Sequence, residues 1–158
     1  MKNPNINAIF NLNMEAVYYR DASLGCCPVK KYLKQYIKNK GDKPKEKNRK
    51  DKVLATLDVR IQYVLQNNGI PYPPLIKKLS GYDYFEIRSK KNQNILIRIF
   101  YFRYEDKIVL LNALEKPENY TGEREGRKIK KELDITQIYL NKFKNNPNLY
   151  EKYEYQIS

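Results

Sequence analysis

YDYFEIRS at residues 82–89, ILIRIFYFRY at residues 95–104 and IVLLNAL at residues 108–114 are the three stretches that decide the fold. Each is rich in the aromatic and β-branched residues that favour strands. The connections are short and polar: residues 90–94 separate the first two stretches, and residues 105–106 make a tight turn between the last two. Three strands joined in this way predict an antiparallel meander.

The sequence upstream of the meander predicts one strand and two helices. Residues 14–20, MEAVYYR, are β-prone and predict the first strand. Pro28 suits a first helical position, and the apolar residues after it keep helical spacing as far as Ile37. The same period predicts a second helix over residues 51–68, which Gly69 ends.

Residues 39–52, NKGDKPKEKNRKDK, contain almost nothing apolar and separate the two predicted helices. Two interpretations stay open for this segment. It is either a solvated linker, as a mobile loop or an arm that contacts phosphate groups, or the exposed start of the second helix.

Downstream of the meander, residues 129–143 return to helical spacing. The order β-α-α-β-β-β-α predicts an α+β domain over residues 14–145, with a small antiparallel sheet. We expect the helices to pack on one face of the sheet and to leave the other face open. Residues 1–13 are interpreted as an N-terminal extension and residues 146–158 as a C-terminal tail or an added strand.

The composition excludes several kinds of catalysis. The 158 residues include 31 lysines and arginines, 18 aspartates and glutamates and no histidine, which gives a net charge of +13. Without histidine there is no Ser-His-Asp triad, no Cys-His pair and no His-containing zinc site. Any catalysis must use Lys, Arg, Tyr, Asp or Glu. The charge indicates a polyanionic partner: nucleic acid, an anionic membrane face or an acidic protein.

Three features of the sequence bear on localisation. No stretch reaches the roughly 20 apolar residues of a membrane span. Residues 1–13 are interrupted by asparagine and do not resemble a signal peptide. Cys26 and Cys27 are adjacent in the sequence, so a disulfide between them could not cross-link distant parts of the chain. We therefore expect a reduced, cytoplasmic protein with no membrane partner.

Alternation along the strands predicts a cluster of charge on the open face. Glu86 and Arg88 share one face of their strand with Tyr84, and Arg98 lies opposite the isoleucines of the longest strand. An arginine in so apolar a strand needs a partner, because an unpaired buried charge is costly. Either Arg98 forms a structural pair with Glu86, or it meets a phosphate group on the open face. The two interpretations are compatible.

Four segments of the chain resemble the RelE/HigB-like toxins of the RelE/ParE superfamily, especially the phage-derived HigB branch. They are GCCPV at residues 25–29, GYDYFEIR at residues 81–88, IRIFYF at residues 97–102 and KIVLLNALEK at residues 107–116. The segments occur in the order and at the spacing that the family shows. The resemblance covers about residues 16–143.

The resemblance implies a toxin of a type II toxin–antitoxin pair with a RelE-like fold. Members of the family are mRNA endoribonucleases that often act on the ribosome and need no cofactor. By position, Arg88 and Arg98 correspond to sheet arginines of the family, Lys116 to a basic residue at the end of the last strand, and Tyr120 to a tyrosine of the following loop. The implied RNA-binding residues are Tyr84, Glu86, Lys77, Lys78, Arg124, Arg127 and Lys128.

The implied reaction suits a chain without histidine. The ribose 2′-OH attacks the adjacent phosphate, and arginines stabilise the pentacoordinate phosphate. Tyr120, a lysine or Glu86 could take the proton, and Lys116 could bind phosphate or act as the acid. The implied partners are mRNA, with rRNA contact on the ribosome, and a cognate antitoxin that covers the RNA-binding face with a partly acidic segment.

Two alternatives remain open at this stage. One is a ParE-like poison of DNA gyrase with the same fold. The other is a non-catalytic basic module that binds RNA or DNA through lysine, arginine and tyrosine side chains.

Overall fold

A computed structural model of the chain describes residues 14–70, 76–117 and 122–155. It confirms an α+β fold in which helices pack against a small sheet, and it contains every strand and helix that the sequence predicts. The elements are β1 (Glu15–Tyr19), α1 (Pro28–Leu33), a 3₁₀ turn (Lys34–Tyr36), α2 (Pro44–Gln66), β2 (Ile76–Lys78), β3 (Phe85–Lys90), β4 (Ile95–Tyr104), β5 (Lys107–Pro117), α3 (Glu123–Asn145) and β6 (Tyr150–Lys152).

The sheet is mixed rather than antiparallel. In the described part of the chain its strand order is β2-β3-β4-β5-β1-β6. The predicted meander, β3-β4-β5, is antiparallel throughout, but β1 runs parallel to β5, with Val17 opposite Val109. The connection through α1 and α2 returns the chain to the far side of the sheet, which permits a parallel pairing. Local sequence patterns predict a strand but not the neighbour that it joins.

Helices cover both faces of the sheet, so the prediction that one face stays open was wrong. Helices α1 and α2 pack on the face that carries Ile97, Ile99 and Tyr101. Helix α3 packs on the other face, where the ring of its Phe143 contacts that of Phe102 at a centroid distance of 5.7 Å. Strand β4 is apolar on both faces, and an apolar sheet face left in water would forgo about 25 cal/mol per Å².

Helix α2 begins at Pro44, ahead of the predicted start at residue 51. Its first two turns carry charged side chains, so they show no apolar period. A buried ion pair joins Lys50 Nζ to Asp42 Oδ2 at 2.7 Å, and Lys50 also donates to the carbonyl oxygen of Ile37. Most of residues 39–52 are therefore the exposed start of the helix, which confirms one of the interpretations. The mobile-loop interpretation is wrong, because the remainder of the segment is tied to the helix.

Gly69 ends α2 as predicted. Its N–H donates to the carbonyl oxygen of Val64 at 2.8 Å, and its φ of +78° lies in the left-handed region that favours glycine. A Cβ at this position would lie 2.8 Å from Ile108 Cδ1, so the close approach of α2 to the sheet also requires glycine.

A β-bulge interrupts the pairing of β4 with β5. Phe100 pairs with Asn112, whereas Tyr101 pairs with Leu110, so Leu111 is an extra residue. Leu111 packs against the α3 side of the sheet, and the next residue, Asn112, hydrogen-bonds to α3. The bulge therefore reverses the alternation of β5, and Leu114 faces α3 while Ala113 packs on the α1–α2 side.

Asp21 ties the C-terminal part of α3 to the end of β1. Its carboxylate accepts hydrogen bonds from Tyr19 Oη at 2.6 Å and from Lys142 Nζ at 3.1 Å. Beyond α3 the chain adds β6 to the outer side of β1, so the described part of the predicted tail contributes a strand to the sheet. Tyr153 then donates to Asp58 of α2 at 2.6 Å, which links the C-terminal segment to the other helical layer.

No described helix combines the length and the apolar character that crossing a membrane would take.

We expect Phe143→Ala to lower the free energy of unfolding by about 3–5 kcal/mol, because Phe143 is fully buried between α3 and the sheet. Ile138→Ala on the same helix is the matched control, since Ile138 is 51% exposed, and it should change stability by less than about 0.5 kcal/mol. Urea titration of both variants measures the difference. Equal losses would contradict the packing of α3 on this face.

Candidate nucleic-acid interface

One buried carboxylate joins the two sheet arginines. Glu86 on β3 accepts a hydrogen bond from Arg98 Nε on β4 through Oε2, and its Oε1 lies 3.4 Å from Arg88 Nε. The side chains of Glu86 and Arg98 are 1% and 6% exposed, so the structural pair is formed. The Arg98 guanidinium also lies 5.3 Å from the centre of the Phe100 ring, a cation–π distance.

Arg88 differs from Arg98 in its exposure and in its hydrogen bonding. Its side chain is 32% exposed, while its Nε atom is buried and has no hydrogen-bond partner despite the nearby Glu86 oxygen. Because one carboxylate faces two guanidiniums, this group of three side chains keeps a net charge of +1. An anion could satisfy the remaining guanidinium N–H groups of Arg88 in the bidentate geometry that phosphate accepts.

The strand register extends this group of charges toward one end of the sheet. Arg88 is directly opposite Arg98, and two residues further along, Lys90 and Lys116 flank Leu96 from the two neighbouring strands. The bulge at Leu111 places Lys116 on the same face as Arg98. We call Glu86, Arg88, Lys90, Arg98 and Lys116 the basic corner.

Helix α3 covers the sheet beside the basic corner. Tyr84 Oη donates to the carbonyl oxygen of Leu133 at 2.7 Å, and Asn112 Nδ2 donates to Thr136 Oγ1 at 3.1 Å. Tyr84, one of the expected RNA-binding residues, is fully buried, so its side chain is not accessible to RNA in this conformation. The same cover removes Arg98 from solvent and leaves Arg88, Lys90 and Lys116 as the accessible cations of the basic corner.

Of the other predicted site residues, only Lys77 is placed beside the basic corner by the strand register. Lys77 is in β2 opposite Glu86, and the exposed Lys78 is opposite Phe85, whose side chain packs on the α1–α2 side. Tyr120 lies outside the described residues. Three of the predicted RNA-binding cations are on the first turns of α3, where Lys128 is paired with Glu125: Arg124, Arg127 and Lys128.

A second group of polar side chains, gathered around the carboxylate of Glu115, lies on the opposite face at the same end of the sheet. Glu115 accepts hydrogen bonds from Tyr32 Oη at 2.7 Å, from Tyr36 Oη at 2.8 Å and from Lys91 Nζ at 3.1 Å. Burial disfavours its charged form, but these three hydrogen bonds outweigh burial and hold the pKa of Glu115 below its usual value. The cluster fixes the end of β5, one residue before Lys116.

The electrostatics restrict the choice of a general base. Burial raises the pKa of Tyr32, Tyr36 and Tyr84, so these three hydroxyls cannot act as bases near neutral pH. Glu86 has both oxygens engaged by guanidinium groups. Among the described residues no cluster of three Asp, Glu or Cys side chains could hold a metal ion.

The sequence predicted the meeting of Glu86, Arg88 and Arg98 but missed two features. Lys90 follows Arg88 by two residues, so alternation could have placed it on the same face. The Glu115 cluster could not be found in this way, because Tyr32 and Tyr36 come from a different part of the chain and were assigned to a helix before the sheet.

The chain matches no family model, and no curated protein or solved structure shows significant similarity to it.

We expect Glu86→Gln to lower the free energy of unfolding by about 3–5 kcal/mol, because it leaves the Arg98 charge buried without a counter-charge. The double change Glu86→Leu with Arg98→Met removes both charges and should cost much less. Chemical denaturation of the three proteins gives the comparison. A double variant as unstable as the single one would show that the pair itself is not the cause.

The contribution of Glu115 to stability should depend on pH. Its pKa in the folded protein is lowered, so its contribution is complete above the unfolded value of about 4.5 and disappears as the pH falls through the lower folded value. The difference in unfolding free energy between the wild type and Glu115→Gln should therefore shrink below about pH 4.5. Thermal or urea unfolding from pH 7 to pH 3 measures it, and a constant difference would refute the assignment.

Proposed function

We propose that the protein is the toxin of a type II toxin–antitoxin pair and that it acts in the cytoplasm as an mRNA endoribonuclease. The observation that carries the proposal is the carboxylate of Glu86 held between the two guanidiniums of Arg88 and Arg98, with Lys90 and Lys116 on the same face. Such a site attracts the phosphate groups of RNA. The order of elements and the sequence segments that resemble RelE/HigB-like toxins support the same reaction.

The two arginines have different roles in this proposal. Arg88 contacts the scissile phosphate and stabilises the charge of the pentacoordinate state, because its guanidinium is accessible and incompletely hydrogen-bonded. Arg98 is a positioning residue that holds Glu86, which in turn orients Arg88. This assignment replaces the expectation that Arg98 itself meets the phosphate, since Arg98 is buried beneath α3.

The reaction is an internal transfer of the phosphoryl group. The 2′-oxygen of the ribose bonds to phosphorus as the bond to the 5′-oxygen breaks, which leaves a 2′,3′-cyclic phosphate and a 5′-hydroxyl end. The 2′-OH proton passes to a base, and an acid protonates the leaving 5′-oxygen. Lys116 and the sequence-predicted Tyr120 are the residues we propose for these two proton transfers.

The basic corner also defines the expected protein partner. An antitoxin that blocks the reaction would place an acidic segment against Arg88, Lys90 and Lys116. Ribosome-bound mRNA is the proposed substrate, because a chain without histidine gains most from a substrate that the ribosome has already positioned.

The burial of Arg98 favours a second candidate function, a basic RNA-binding module without catalysis. The two functions differ in their products: the module would bind RNA and leave it intact, whereas the toxin would generate new 5′-hydroxyl ends.

We expect Arg88→Gln to reduce RNA cleavage about 10²–10³-fold, by the loss of charge stabilisation in the transition state. Arg103→Gln is the matched control, since Arg103 is an exposed arginine near the other end of β4, and it should retain full cleavage. The purified variants are incubated with mRNA, with and without ribosomes, and new 5′-hydroxyl ends are mapped.

The same variants are then expressed in growing cells. Growth arrest that disappears with Arg88→Gln but not with Arg103→Gln supports the toxin. Binding without any cleavage would favour the non-catalytic module, and loss of DNA supercoiling activity with intact mRNA would favour the gyrase poison.

A further inference from the structure

Most of the net charge of the protein lies away from the basic corner. Residues 30–52 contain eleven lysines and arginines but only three acidic residues, so about a seventh of the chain carries +8 of the net charge of +13. This segment spans α1, the 3₁₀ turn and the first turns of α2, which pack on the face of the sheet opposite Arg98. The molecule therefore has two separate basic regions.

The acidic residues of this segment are already paired. Asp42 binds Lys50 at 2.7 Å, Glu46 binds Arg49 at 2.6 Å, and Asp51 binds Lys38 at 3.1 Å. Lys30 is paired with Glu151. Six further lysines are exposed and form no ion pair with another described residue, and we call them the lysine surface: Lys31, Lys34, Lys40, Lys43, Lys45 and Lys52.

The lysine surface is a fixed part of the fold. The buried Lys50–Asp42 pair and the hydrogen bond from Asn39 N–H to Asp42 Oδ2 at 2.8 Å hold the turn before α2. Lysines in a mobile tail could move apart, whereas these are carried by α1, by α2 and by the connection between them, which the Lys38–Asp51 and Lys50–Asp42 pairs tie to α2. Their mutual repulsion destabilises the folded chain, and a polyanion that binds there would relieve it.

The side chains around the lysine surface indicate which polyanion it fits. None of the exposed large hydrophobic residues of the described chain falls in residues 28–52, so nothing there would insert into a lipid surface. Of the two aromatic residues of the segment, Tyr36 is 1% exposed and Tyr32 is half-buried with its ring packed edge-to-face against that of Tyr36, so they make a poor platform for unstacked bases. The polyanion that fits these side chains is a double-helical nucleic acid, which is contacted through its phosphates while its bases stay stacked and paired.

We propose that the lysine surface binds the backbone of double-helical RNA, while the basic corner on the opposite face receives the single strand that is cut. That the duplex is RNA rather than DNA rests on the proposed function. Binding at the lysine surface is independent of base sequence and weakens with salt, because it is driven by the release of counterions from the phosphates. The protein would then hold a structured RNA and its substrate strand at the same time, on two faces of one sheet.

The test compares charge removal on the two helical layers. Lys43→Gln with Lys45→Gln removes two charges from the lysine surface. Lys131→Gln with Lys144→Gln removes two exposed charges from α3 that form no ion pair with another described residue. The full-length proteins are titrated by fluorescence anisotropy against a 20-base-pair RNA duplex between 50 and 300 mM salt. The logarithm of the binding constant plotted against the logarithm of salt should lose about two units of slope in the first variant and none in the control.

The competing ligands are a DNA duplex of the same sequence, a single-stranded RNA and vesicles that contain anionic phospholipid. Stronger binding of duplex RNA than of each of these supports the proposal. Equal slopes for the two double variants, or equally tight binding of DNA or vesicles, would overturn it. Arg88→Gln separates this result from the proposed function: if it abolishes cleavage while the duplex still binds with the lysine-dependent slope, the two surfaces act as proposed.

If the wild-type protein cuts no RNA but binds the duplex with the lysine-dependent slope, the proposed nuclease activity is refuted and the proposed duplex binding stands.

Discussion

A single buried cation constrains the centre of this molecule. Arg98 lies in a strand that has helices on both sides, and its charge is tolerable only because Glu86 on the next strand accepts from its Nε. The pair fixes the register of β3 against β4, since a shift of one residue would send Glu86 to the other face. Because Glu86 already pairs with Arg98, Arg88 shares a carboxylate that neutralises only one of the two guanidiniums. The uncompensated positive charge therefore lies on Arg88, which is the more exposed of the two arginines.

The fold was largely predictable because its elements follow local periodicity. The alternation of β3 and β4 and the helical spacing of α2 and α3 are strong signals over six or more residues. The number of sheet faces that helices cover was harder to predict, because an apolar strand such as β4 has a similar composition whether one of its faces is covered or both. The sequence left the early turns of α2 undecided between a linker and a helix start, because they carry charged side chains and the Lys50–Asp42 pair rather than an apolar period.

The candidate site was predictable where it depends on adjacent strands. Glu86, Arg88 and Arg98 meet because neighbouring strands place alternate side chains on one face, and this geometry follows from sequence alone. The accessibility of these residues was not predictable, since it depends on where α3 packs. The partners of Glu115 likewise come from α1 and from the turn after β3, and no local pattern connects them.

The bulge at Leu111 has a consequence for how this strand is compared with others. Counting alternate positions from Lys107 assigns Asn112, Leu114 and Lys116 to the α1–α2 side, whereas the extra residue moves all three to the α3 side. A structural alignment must therefore contain a one-residue gap in the middle of β5. Without that gap, Glu115 and Lys116 at the end of the strand exchange faces, and Glu115 would be matched to positions on the face that carries Arg98.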